Sequence, residues 1–233
     1  MWRRCAIFGK NLSMKKYLAI SLAAFAVAFS SCGPNEKTAD AGNEKKDSAV
    51  VFYLEDLLNV QSEAELKTKF PQSKVSYDTI WGSEGMFTMG SYLDKGTPDE
   101  VQIMWADSAG RSDASSVAIN ALYEENPAKM YSNKWRSKSG VKLGMTSSEL
   151  EKLNGKPFLF SGFGWDYGGS VIDWQHGDLD EKFLGVTLTE GDGNLLNEAE
   201  MDSVLGDREL KSDRAEVRKL EPKVAMISVF QGD

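Results

Sequence analysis

The sequence predicts an α+β fold made of tandem helix-plus-antiparallel-sheet units, with short helices packed on sheet. Three observations carry this prediction. A short helix is fully specified at 144–155, its start signal recurs twice elsewhere, and short apolar runs of strand length lie between the copies.

In chain order, Val50, Val51, Phe52, Tyr53 and Leu54, followed by Leu57 and Leu58, open the folded region. They read as a first strand or as the start of a helix. Ser62, Glu63, Ala64, Glu65 and Leu66 then form a capping-box pattern ending near Phe70 and Pro71. In such a box the cap hydroxyl and a glutamate three residues later satisfy each other's backbone donors. Strands are predicted over 75–80, 87–92, 101–105 and 117–119, with Asp107, Ser108, Ala109 and Gly110 as a hairpin turn.

The helix at 144–155 has every local signal. Thr146 caps it, Glu149 closes the box, and Met145 and Leu150 occupy the two positions of a hydrophobic staple. Leu150 and Leu153 share a face, Asn154 and Gly155 supply a left-handed stop, and Pro157 bars continuation. About two turns long, it must be held by packing because so short a helix is marginal alone. Further strands are predicted over 158–163, 171–176, 184–188 and 224–230, the last apolar on both faces and so an inner strand. Asn197, Glu200 and Gly206 repeat the spacing of Thr146, Glu149 and Gly155, with Leu196 and Met201 as staple. Leu66 precedes Trp81 by 15 residues and Leu150 precedes Trp165 by 15, which aligns 81–85 with 165–169 and, roughly, 101–105 with 183–188. The body, 50–233, is therefore expected to contain two similar halves, 50–135 and 136–233.

Upstream of the body, Met14, Lys15 and Lys16 open a basic region, an apolar run follows from Tyr17 to Phe29, and Ser30 and Ser31 precede Cys32. A basic start, an apolar middle and a small-residue exit make a secretory signal. The 15 residues from Tyr17 to Ser31 fall short of the ~20 that cross a hydrocarbon core. Residues 1–31 are expected to be a signal peptide, with Met1 to Ser13 an extension upstream of a start at Met14. Phe29, Ser30, Ser31 and Cys32 resemble a bacterial lipoprotein cleavage box, with Phe29 where an aliphatic residue is commoner. The resemblance implies lipid attachment at Cys32 and anchoring in the cell envelope, with the outer membrane as the expected destination. The alternative is an ordinary secreted protein with an incidental cysteine. Residues 33–48 hold no aromatic residue and, Pro34 aside, no aliphatic one larger than alanine, so 32–49 reads as the lipidated cysteine and a flexible tether.

Processing shifts the charge balance. Removing 1–31 deletes Arg3, Arg4, Lys10, Lys15 and Lys16 and no acidic residue, so the chain's net charge of −8 becomes about −13. Such a body repels nucleic acid and anionic head groups, and no nucleic-acid partner is expected. The two cysteines, Cys5 and Cys32, both precede the body, which excludes a disulfide framework or cysteine-based metal site there.

The run Gly144, Met145 and Thr146, with Glu149, Leu150 and Leu153, ending Asn154, Gly155, Lys156 and Pro157, resembles the signature of the small outer-membrane lipoprotein assembly-factor domain. The repeated layout also resembles beta-lactamase-inhibitor-protein-like tandem folds. Both families are binding modules, so the resemblance implies protein interaction without catalysis. The match covers about 14 of 233 residues, and the aromatic-glycine block 158–174 departs from it. The body as a whole resembles uncharacterised lipoproteins of Bacteroidota, whose family supplies no established activity.

That aromatic-glycine block holds the candidate binding patch: Phe163, Trp165, Asp166, Tyr167, Trp174 and His176. Glycines permit tight turns, while tryptophan and tyrosine give large contact area with a polar handle. The competing reading makes the aromatics core and the glycines hairpin formers. His176, the sole histidine, has Asp173, Asp178 and Asp180 nearby for acid-base work. No nucleophile elbow or zinc pair accompanies it. Asp166 and Asp173 are a carboxylate pair for a glycosidase reading, and 190–194 resembles a fragment of a calcium loop but reads better as a surface turn. Phosphate-loop and dinucleotide fingerprints are absent from the sequence, and no cofactor or metal is expected. The leading expectation is an envelope lipoprotein that binds another envelope protein. The alternatives are a small-ligand or glycan-binding lipoprotein and a hydrolase around His176.

Overall fold

Capping chemistry places the helices, and apolar alternation places the strands between them. The computed structural model describes residues 50–122, 127–180, 183–191 and 193–232; the signal segment, Cys32 and the tether lie outside the described residues. In chain order the elements are β1 (Phe52–Tyr53), α1 (Leu54–Leu57), α2 (Glu63–Lys69), β2 (Val75–Trp81), β3 (Phe87–Leu93), β4 (Val101–Asp107) and β5 (Ser112–Asn120). There follow α3 (Pro127–Met130), β6 (Trp135–Arg136), α4 (Ser147–Asn154), β7 (Leu159–Ser161), β8 (Val171–Asp173) and β9 (Leu184–Thr189). The chain ends with α5 (Glu198–Asp202), β10 (Glu209–Lys211), α6 (Ala215–Leu220) and β11 (Lys223–Phe230). This is the expected α+β class, short helices against antiparallel sheet.

The six-stranded sheet runs β2-β3-β4-β5-β11-β9, and a smaller one runs β10-β7-β8. An isolated bridge, Ser170 to Thr187, and the Leu188 N–H donated to the Gly169 carbonyl at 2.9 Å join β8 to β9. Outward from the central β5–β11 pair the order is therefore β4, β3, β2 on one side and β9, β8, β7 on the other. Each set of strands follows its own capped helix, α2 or α4. The strands that follow α2 and those that follow α4 meet through β5 and β11. Residues Ser48–Asp233 form one compact unit, so both sets of strands belong to one body.

One face of the large sheet is that core. Ile103 pairs with Val117, Val117 with Val229 and Ile119 with Ile227, all fully buried. Leu54, Leu57, Leu66, Leu150, Val217 and Leu220 bring α1, α2, α4 and α6 onto the same cluster. The other face carries Gln102, Met104, Ser116, Ala118, Met226 and Ser228, alternate residues of the same strands. Their small central members are walled by longer neighbours.

Boundaries differ from expectation where the backbone turns. The region predicted as strand over 171–176 stops at Asp173, because the Asp173 carboxylate accepts the Gln175 N–H at 2.6 Å and both Gln175 and His176 have φ of 57°. The strand predicted over 158–163 is only Leu159–Ser161, and the cap at Asn197 starts a helix that ends at Asp202, short of Gly206. The opening segment is both of its alternatives, a two-residue strand and then a turn of helix.

Candidate functional site

Two residues of the predicted patch belong to the core. Phe163 is 3% exposed and packs 5.7 Å from Phe160; Trp174 is 7% exposed and packs 5.4 Å from Phe158. The core reading is correct for them, because both rings sit in the buried cluster with Phe158, Phe160 and Leu150. Gly162 is a glycine because the backbone passes close: a Cβ there would lie 2.5 Å from the Gly206 carbonyl oxygen. His176 is almost wholly solvent-exposed and meets Asp180 at 3.1 Å within its own loop. Asp173 and Asp166 line different depressions, so the carboxylate pair does not share one cleft. Among the described residues, no group of three or more histidine, cysteine, aspartate or glutamate side chains is placed to hold a metal.

Trp165, Asp166 and Tyr167 remain at the surface. Trp165 and Tyr167 meet edge to face at 5.3 Å, and the Trp165 indole N–H donates to the Gly162 carbonyl at 2.8 Å. These contacts hold the 162–170 turn in shape. Asp166 joins it to a second turn: its side chain accepts the Glu84 N–H at 3.1 Å, and its carbonyl accepts the Ser83 hydroxyl at 3.2 Å.

That second turn was missed as a site. It closes the β2–β3 hairpin through the Gly82 N–H and the Met86 carbonyl at 2.8 Å, with Glu84 and Gly85 at positive φ. β3 pairs with β4 only from Ser91 to Leu93, so the hairpin overshoots the sheet. Its end leaves Trp81 69% and Phe87 65% exposed, the two rings 5.4 Å apart across the strands, with Met86 beside them. The signal for this turn was present, since the 15-residue register aligns 81–85 with 165–169. The fold places these two turns side by side.

Beneath the hairpin lies a cleft of about 270 Å³. Ile80, Trp81, Met86 and Phe87 form its wall, and Gln102, Met104, Ala118 and Met226 its floor. A second depression of about 480 Å³ shares Trp81, Gly82, Gln102 and Met226 with it and adds Ser83, Glu84, Asn120 and Asp166. The arrangement is an apolar slot that opens into an acidic, polar one, a geometry suited to holding another molecule's side chains.

No family model, no curated protein and no solved structure matches the chain.

Proposed function

We propose that this chain is a cell-envelope lipoprotein, anchored through acyl chains on Cys32, whose body docks another envelope protein on the open face of its large sheet. The anchor rests on the sequence: an apolar run too short to span, followed by Ser30, Ser31 and Cys32. Several acyl chains give lasting attachment, each buried methylene contributing roughly 0.8 kcal/mol.

The observation that carries the docking role is the cluster of exposed Trp81, Met86 and Phe87 beside the partly exposed Trp165 and Tyr167. Solvent-exposed aromatics gathered at one place mark contact surfaces, whereas scattered ones do not.

Site-specific photocrosslinking in intact envelopes tests the docking role. A photoreactive residue replacing Phe87 or Tyr167 is expected to give a discrete adduct, and one replacing Thr68 or Lys152 on the helical side to give none. Adducts at the helical positions alone would remove the open face from the proposal. In the same cells Cys32→Ala is expected to abolish acyl labelling and detergent-phase partitioning; unchanged labelling would remove the anchor.

A further inference from the structure

We infer that the slot under the β2–β3 hairpin receives one large apolar side chain of a protein partner, and that the partner carries a lysine or arginine beside it. The inference rests on the open-face docking reading and adds the chemistry of what is docked.

The apolar half follows from the lining. Met86, Met104 and Met226 border a slot with Ile80, Trp81 and Phe87. Unbranched thioethers adapt to the shape placed against them and make favourable sulfur–aromatic contacts, so the slot suits a phenylalanine or leucine. A side chain projecting from a partner's backbone can enter such a slot, whereas a flat bilayer surface would leave it unfilled.

The cationic half follows from charge. Glu84 and Asp166 line the adjoining depression, while neither compartment has a lysine or arginine in its lining. Ion pairs engage many carboxylates elsewhere, yet among the described residues neither of these two is in one. Asp166 uses Oδ2 for the Glu84 N–H. Uncompensated negative charge next to an apolar slot selects a partner of opposite sign, and the Trp81 ring bordering both compartments adds a face on which a cation rests well.

The test titrates short blocked peptides into the purified full chain in detergent, with methionine methyl groups labelled for NMR. Gly-Phe-Lys-Gly is expected to shift the Met86, Met104 and Met226 methyl signals and to leave Met201 unmoved. Gly-Phe-Glu-Gly and Gly-Ala-Lys-Gly are expected to bind at least tenfold more weakly. Glu84→Gln combined with Asp166→Asn should narrow the lysine-over-glutamate preference to under twofold; Glu84→Gln alone, whose backbone contact is untouched, should narrow it in part. Equal binding of the lysine and glutamate peptides overturns the cation requirement and leaves the docking face standing. Equal binding of the alanine peptide overturns the anchor. No shift at these three methyls with any peptide overturns the inference and the open-face reading together.

Discussion

Glu63 is the one charged side chain that is buried among the described residues, and three direct partners, one of them backed by Trp105, make its position tolerable. The Ser91 hydroxyl donates to Oε2 at 2.8 Å, the Trp105 indole N–H donates in turn to that hydroxyl at 2.9 Å, Lys67 donates to Oε1 at 2.6 Å, and Arg111 reaches both oxygens at 3.1 and 3.2 Å. Burial alone would raise the carboxyl's pKa, but the hydrogen bonds from Lys67, Ser91 and Arg111 outweigh it and hold the group below its ordinary 4.5. A depressed folded pKa stabilises the fold above the unfolded value and loses that contribution as pH falls through the folded one. Urea denaturation is therefore expected to show stability falling with acid below about pH 4.5, and Glu63→Gln is expected to flatten that fall. At neutral pH the same substitution should cost about 1–2 kcal/mol. Both cations are roughly half exposed, so most of the loss comes from weakened bonds to buried groups. An unchanged acid limb would show that Glu63 does not set it. None of this was legible, because the glutamate looks like an ordinary first-turn residue and its partners lie up to 48 positions away. The candidate site was legible in the same partial way. Aromatic-glycine composition pointed to Trp165, Asp166 and Tyr167, but composition does not distinguish an outward ring from an inward one, so Phe163 and Trp174 were grouped with them.

At the scale of elements, α4 shows what local chemistry can specify. Thr146 accepts the Glu149 N–H at 3.2 Å, Glu149 accepts the Thr146 N–H at 2.9 Å, and Gly155 stops the helix at φ 76°, all as its spacing requires. Its last residue does something the spacing does not reveal. The Asn154 amide donates to the Trp174 and Lys156 carbonyls at 2.9 and 3.0 Å and accepts the Leu179 N–H at 3.2 Å, so it pins the 174–179 loop to the helix end. Gly177 passes so close that a Cβ would lie 2.1 Å from the Asn154 side-chain oxygen. Asn154→Ala is expected to cost about 3 kcal/mol by stranding these groups, against about 1 kcal/mol for Thr146→Ala. Chemical denaturation of both variants compares them directly, and equal costs would show that the loop does not depend on Asn154. What escaped the sequence reading, α6, β6 and the pairing of β6 with β1, lacks local signals. Arg214 gives α6 no side-chain cap and Glu221, not glycine, takes the left-handed position after it. β1 and β6 are two residues each and pair in parallel across 83 positions. The box predicted at Ser62 is itself only half reciprocal, since the Glu65 carboxylate bonds the Gln61 N–H one residue upstream.

For the whole molecule, the decisive feature is that the last strand is the middle one. β11 pairs with β5 of the first half and β9 of its own, so the sheet is not continuous until the C-terminus is in place. The doubly apolar pattern of 224–230 announced an inner strand, but spacing along a chain does not order strands across a sheet, and the meeting of β5 with β11 appears only in the structure. Its consequence is a single folding unit. Val224, Ile227 and Val229 are fully buried on β11. At roughly 1.5–3 kcal/mol each, their loss alone approaches the 5–15 kcal/mol that typically stabilises a domain. Deleting 223–233 would also leave Val117, Ile119 and Val186 without their covering neighbours and open both strand edges to association. The truncated chain is expected to show no cooperative thermal transition and to be digested by protease under conditions that leave the full chain intact, with a synthetic 223–232 peptide restoring protection when added in excess. A truncated chain that melts cooperatively within a few degrees of the full one would mean that the halves stand independently. The proposed docking face would then be two surfaces rather than one, because the slot's floor is shared between Gln102, Met104 and Ala118 on β4 and β5 and Met226 of β11 itself.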